Sequence, residues 1–467
     1  MTNNINPEKF DAIIVGTGQA GKPLALALGD NGLKTAIIES KYVGGTCINY
    51  GCTPTKTMIA SARAAYISRN AGKYGIKTGN VKVNLSEVIQ RKNEIVKTFR
   101  DSGRKRLQKH EKIDLIFGEA SFKSEYVINV KLKRGGTRTI TSEKIFINTG
   151  TSSFIPHIDG LDKSGYLTST AIMDVEEIPR HLIILGGGYK GLEFGQMFSR
   201  FGSKVTIIQK NNRLAPREDL DISEEIRKIL EKEGINVLLK WDTKSVTKKK
   251  NGKLTVSIKS ESGMDEIEGT HLLVAAGLIP NTPKLNLDSA GIKTDLQGYI
   301  IVNDKLETNI DGIFAMGDVK GGPAFTHISY DDYRIIKSNL LENKNMSIKN
   351  RLVPYTIFID PQLGRIGLTE TEANEKGLKF KTAALSMQHV ARAIENGETE
   401  GFMKAIVDSD TGQILGCAIL GNEGGEVMSM IEIAMAAKMP YTSLRDGVFA
   451  HPLYAEALNS LFRVFNG

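Results

Sequence analysis

The chain has 467 residues, 40% of them hydrophobic and 24% charged, a balance that fits a globular protein of about two to four domains and excludes a disordered or fibrous chain. No apolar run reaches the roughly 18 residues of a membrane span, and the polar start MTNNINPEKF lacks a signal-peptide core, so a cytoplasmic protein without a membrane partner is expected. The net charge of +8 does not imply nucleic acid, because the basic residues are spread out: 103–112 reads as a solvated helix face, and 244–256 as a hairpin turning at Asn251-Gly252.

The first element, FDAIIVGTGQAGKPLALAL, reads as a buried strand, a glycine turn and a helix. Gly16, Gly18 and Gly21 form G-x-G-x-x-G, which sets helix N-terminal amides against a pyrophosphate. The next strand, KTAIIES, ends at Glu39, placed to bind a ribose hydroxyl. Then comes GGTCINYGCTPTK, with two of the chain's three cysteines, Cys47 and Cys52. Three cysteines make no disulfide scaffold, and a close intracellular pair is more often catalytic or metal-binding. Two buried thiols, or half of a metal site, are the other readings; no second ligand cluster is found, so no metal site is expected.

The opening unit occurs twice. HLIILGGGYKGLEFGQMF carries Gly186, Gly188 and Gly191, followed by KVTIIQK. Gly186 follows Gly16, and Gln209 follows Glu39, each by 170 residues. Two such units imply two dinucleotides. A carboxylate at the second position would repel a 2′-phosphate; Gln209, with Lys210 and Arg213 nearby, removes that repulsion, so NADPH is expected to be accepted as well as NADH. The unit closes near LLVAAGLIPNT, where Gly277 is a further candidate cofactor contact. TNIDGIFAMGDV reads as a short buried strand ending in Gly317-Asp318.

The C-terminal third changes character. GFMKAIVDSDTGQILGCAILG reads as a hairpin of two apolar strands, with Cys417 as core packing. FAHPLYAEALNSLF carries His451 and Glu456, a histidine that can exchange protons near neutral pH and an acid to orient it.

Together these motifs, in this order, resemble the two-dinucleotide flavoprotein disulfide reductases: lipoamide dehydrogenase, glutathione reductase and mercuric reductase. The resemblance runs over essentially the whole chain and implies an α/β fold, with two Rossmann-like domains for FAD and NAD(P) and a C-terminal α+β dimerisation domain. It implies residues 1–152 and 280–350 as the FAD domain, 153–279 as the NAD(P) domain and 351–467 as the dimer domain. By position, the first glycine motif with Gly45, Thr46, Gly317 and Asp318 matches the FAD site, and the second motif the nicotinamide dinucleotide site. Cys47 and Cys52 match the redox-active disulfide, Cys52 nearest the flavin and Cys47 meeting substrate. Lys56 matches the lysine beside the flavin, with Glu193 as its ion-pair partner. His451 and Glu456 match a pair that reaches the other subunit's cysteine, which implies a homodimer with a shared active site.

A bond between these cysteines requires a distorted segment. Residues five apart in a regular helix are separated by about 7.5 Å along the axis, whereas disulfide Cα atoms lie about 4.4–6.8 Å apart. Gly44, Gly45 and Gly51 permit unusual dihedrals, and Pro54 suits the first turn of a new helix. Leu278, Leu453 and Ala455 depart from the usual family pattern.

The strongest resemblance, at GGTCIN, EKIFINTG, MGDVKGG, ISYDDYRI and EALNSLF, is to the mercuric-reductase-like group of reactive-chlorine resistance. It implies reduction of a small oxidant, hypothiocyanous acid first. A reductase of Hg(II) or Cu(II) is the alternative, and lipoamide dehydrogenase stands after it. The ending LFRVFNG lacks the cysteine pair of dedicated mercuric reductases, and the start lacks their metal-binding domain. An FAD-bound regulatory protein would need neither the cysteine pair nor Lys56 and His451, so an enzyme is expected.

Overall fold

The computed structural model describes residues 6–466, which divide into two units. One combines the segment through Thr57 with Ile89–Phe154 and Gly277–Arg351; the other combines Met58–Val88, Ile155–Ala276 and the chain from Leu352 onward.

The first unit is organised by a sheet in which strands Ile113–Ser124, Thr35–Glu39, Ala12–Val15, Ile145–Ile147 and Ile313–Ala315 lie side by side and parallel. AIIV at the centre is buried throughout, as a parallel strand covered on both faces must be. The long strand Ile113–Ser124 also pairs antiparallel with Val127–Leu132, and so extends the sheet into a meander with Thr137–Thr141. One face packs on helices Gly21–Asp30 and Thr326–Leu341 through Leu24, Leu28 and Ile335; the other packs Ile13, Ile38 and Ile145 against Leu285 and Ile300.

The second unit repeats the theme. Strands Asn236–Leu239, Lys204–Gln209, His181–Leu185 and His271–Val274 form a parallel sheet beneath helix Tyr189–Phe201. Beside it lies an antiparallel three-stranded sheet that contains the expected hairpin, Asp242–Lys248 with Leu254–Ser260. From Tyr355 the chain builds a five-stranded antiparallel sheet, Phe402–Asp408 and Ile414–Gly421 at its centre, covered by helices Gly424–Ala436 and Ala457–Arg463. Cys417 lies in that core, 0% exposed, and burial pushes its thiol up to about 12. The fold is therefore the expected α/β arrangement with two glycine-turn βαβ units and an α+β C-terminal domain. Among the described residues, no helix is long and apolar enough to cross a membrane.

Candidate active site

The two glycine turns are built alike. Gly16 and Gly186 have φ of +108° and +113°, in the region that favours glycine. A Cβ on Gly21 would lie 2.1 Å from the Gly16 carbonyl oxygen, and one on Gly191 would lie 2.0 Å from that of Gly186. Each helix thus packs directly on its turn with no room for a side chain between them, the arrangement in which a helix N-terminus can receive a phosphate group. Gly188, which precedes the second helix, is extended.

The strand-end residues also correspond. Glu39 accepts hydrogen bonds from the Thr17 hydroxyl (2.5 Å) and, on its other oxygen, from the Lys41 amide (2.8 Å). Gln209, 7% exposed, accepts from the Gly187 amide at 3.0 Å and donates to the Arg213 carbonyl at 3.3 Å. Thr17 and Gly187 follow the first glycine of their respective turns, so each strand end braces the same point of its turn, once with a carboxylate and once with a neutral amide. Lys210 extends to Asp242 at 3.5 Å.

A residue not foreseen from sequence ties the first turn to the distant Gly-Asp segment. Asn148 accepts from the Gly21 amide at 2.9 Å and donates to the Met316 carbonyl at 2.8 Å. The Gly317 amide donates to Asp332 at 2.8 Å, and Asp332, 0% exposed, also binds Arg351 (2.6 Å) and Lys320 (3.3 Å). Asp318 accepts from the Thr151 hydroxyl at 3.2 Å. Gly277 accepts the Phe154 amide at 3.0 Å, and Leu278 pairs with Ser153.

The cysteine segment lies against the same turn. Gly45 has φ +63°, and a Cβ there would come within 2.7 Å of the Gly18 Cα. Cys47 sits in the short helix Gly45–Asn49; Tyr50 leaves helical geometry, and Cys52 opens the next helix, Cys52–Arg69, with Pro54 in its first turn. This is the distortion that a bond between the two sulfurs requires. Asn49 fixes the break by donating to the Val43 (3.1 Å) and Gly45 (2.9 Å) carbonyls, and Arg100 holds Asn49 at 2.7 Å. None of the three cysteines is in a disulfide. Cys47 is half-buried and hydrogen-bonded to the exposed Cys52, whose sulfur also meets the Thr326 hydroxyl at 3.2 Å. The neighbouring Cys52 first, and burial second, push the Cys47 thiol well above its ordinary range, while Thr326 and the Lys56 charge pull the other way. The pair therefore does not lose both protons together.

Glu193 and the His451–Glu456 pair lie in the second unit. Glu193, 3% exposed, accepts the Phe358 amide at 2.9 Å. His451 directs Nδ1 at Glu456, 2.8 and 3.1 Å from its two oxygens, and its side chain is 67% exposed. With Nδ1 bonded to the carboxylate, Nε2 is the atom turned to outside chemistry. Thr46 is exposed beside Cys47.

Thiols beside one glycine turn, a second such turn and a carboxylate-oriented histidine describe an enzyme that passes electron pairs from a dinucleotide to sulfur. The comparisons place it: residues 10–332 match the pyridine nucleotide-disulphide oxidoreductase family and residues 353–462 match that family's dimerisation domain, so the chain belongs to these flavoprotein disulfide reductases. It is 39% identical to the probable pyridine nucleotide-disulfide oxidoreductase RclA of Escherichia coli, over 97% of this chain and 99% of that one. Mercuric reductase of Staphylococcus aureus is 35% identical over 96% of this chain and 81% of its own. A solved structure, the Cu(II) complex of the HOCl-induced flavoprotein disulfide reductase RclA from Escherichia coli, superposes with a TM-score of 0.89 at 38% identity, covering 98% of this chain and 99% of that one.

The enzymes of this family contain FAD and take electrons from NAD(P)H. The residues present fit FAD: the Gly16–Gly21 turn leaves no room for side chains, Glu39 ends the following strand, and Gly317-Asp318 is anchored to the same turn through Asn148.

Proposed function

We propose that this enzyme reduces a small electrophilic oxidant, hypothiocyanous acid first, through Cys47 and Cys52. The observation that carries the reading is the thiol pair itself, hydrogen-bonded across a helix break and set against a dinucleotide turn. An HOCl-induced enzyme as a relative supports an oxidant as substrate.

When bound, FAD would supply the chemistry that passes the electron pair of NAD(P)H to the Cys47–Cys52 disulfide. Lys56, one turn beyond Cys52, would supply a positive charge to bound FAD, and Glu193 a carboxylate. The reduced pair keeps one proton, on Cys47. The partner's His451, oriented by Glu456, removes that proton through Nε2, because the thiolate and not the thiol is the nucleophile. The Cys47 thiolate attacks the sulfur of hypothiocyanous acid, and hydroxide leaves as water with the histidine's proton. The Cys52 thiolate then attacks the Cys47 sulfur; thiocyanate leaves and the disulfide re-forms. The substrate is small and uncharged when protonated, so the step needs no docking groove. The active site is shared across a homodimer, and Gln209 lets NADPH serve beside NADH.

A Cu(II)-bound relative and the mercuric reductases favour a second reading, metal-ion reduction at the same soft dithiol. Anaerobic holoenzyme with limiting NADPH separates the two. Rapid multiple turnover with hypothiocyanous acid, lost in Cys47→Ser, is expected. Slow turnover there with sustained Hg(II) or Cu(II) reduction would move the enzyme to the metal class.

A further inference from the structure

Cys52 has a neighbour that its own segment does not supply. The Thr326 hydroxyl lies 3.2 Å from its sulfur, across 274 residues of sequence. Thr326 is the first residue of the sixteen-residue helix Thr326–Leu341, and the same hydroxyl hydrogen-bonds Cys47 as well. Its position is set by the fold. The helix packs on the parallel sheet through Ile335 and Ile336, and Asp332 pins its second turn to Gly317, Lys320 and Arg351. The hydroxyl is therefore held against the sulfurs by a charge-anchored helix packed on the sheet.

We infer that Thr326 is a catalytic residue that sets the reduction potential of the Cys47–Cys52 couple by donating its hydrogen bond to the reduced pair. This rests on the reading of these cysteines as the redox couple. Reduction adds two electrons and one proton to the disulfide, breaks the sulfur–sulfur bond and leaves one thiol and one thiolate. A thiolate carries no hydrogen, so the threonine must be the donor in that state. A disulfide sulfur is a far weaker acceptor, so the hydrogen bond favours the reduced form over the oxidised one. Thr326 is also the first helical residue, where backbone amides lack intrahelical partners and the helix end is positive, which acts in the same direction. The charged groups acting on the pair are Lys56, from the cysteine helix, and Lys22, from helix Gly21–Asp30; both act on Cys47. The consequence is directional: loading the disulfide from NAD(P)H becomes more favourable, at the expense of driving force for discharge to the oxidant.

The test uses holoenzyme equilibrated against graded dithiothreitol or glutathione buffers, with Cys47–Cys52 oxidation read by alkylation and mass spectrometry. Thr326→Val is nearly isosteric and removes the hydroxyl; Thr326→Ser keeps it. Loss of one hydrogen bond to a charged acceptor corresponds to about a tenfold change in the disulfide–dithiol equilibrium, or about 30 mV for two electrons. Thr326→Val is expected to shift the couple to a more negative potential by about that amount, and Thr326→Ser to restore the wild-type value. An unchanged or more positive potential in Thr326→Val overturns the inference. Should valine displace FAD, Thr326→Ala read against Thr326→Ser makes the same comparison. A wild-type enzyme that forms no Cys47–Cys52 disulfide at any poise would instead remove the redox reading beneath it.

Discussion

Cys47 and Cys52 are chemically the same side chain, and their surroundings make them different. Cys47 is half-buried and pushed up by its neighbour, whereas Cys52 is exposed and opens a helix. At this scale Gln209 is the other informative residue. Its neutral amide braces the second glycine turn as the Glu39 carboxylate braces the first. Gln209→Glu keeps an acceptor for the Gly187 amide and adds a negative charge where a 2′-phosphate would bind. We expect kcat/KM for NADPH to fall by about tenfold or more, with NADH little affected. Steady-state kinetics with both dinucleotides decide this, and an equal loss for both would show that the position does not read the 2′-group.

Among the elements, the break between Gly45–Asn49 and Cys52–Arg69 and the anchored helix Thr326–Leu341 do the positioning. The break was legible in the sequence, because three glycines and a proline flank the cysteines and a regular helix cannot bring residues five apart into bonding distance. The anchor was not. Asp332 sits in ISYDDYRI as one acid among others, and only the fold buries it between Lys320 and Arg351 under the Gly317 amide. Asp332→Asn leaves two cations facing a neutral side chain. It is expected to destabilise the protein by about 3–5 kcal/mol, the range for breaking a buried pair, and to lower FAD retention. Denaturant unfolding and flavin content after gel filtration measure both. Wild-type values for each would mean that the cluster is not what holds Gly317.

For the whole molecule, the central question is where His451 acts. Its ring is exposed and Glu456-oriented, and the C-terminal domain presents apolar side chains such as Val448 and Ile433, 102% and 69% exposed. If the partner's His451 serves Cys47, then Cys47→Ser and His451→Gln variants, each nearly inactive alone, should recover activity when co-expressed. Random pairing makes half the molecules mixed dimers with one intact site of two, about a quarter of wild-type activity. His451→Gln alone should lose about 10²–10⁴-fold in kcat with FAD retained, the span of general acid–base catalysis. No recovery on mixing would place the histidine's action within one chain.

The sequence by itself determined the two glycine turns, the strands that carry them, the cysteine pair and the histidine–glutamate pair. These are local patterns whose spacing is fixed by backbone geometry, and they are readable within about 25 residues. The contacts that join them were decided only by the tertiary structure: Asn148 to Gly21 across 127 residues, and Thr326 to Cys52 across 274. An asparagine after a strand or a threonine at a helix start carries no mark of its partner. A hydrogen bond depends on angstrom-scale placement, and that placement comes from packing the whole sheet and its covering helices.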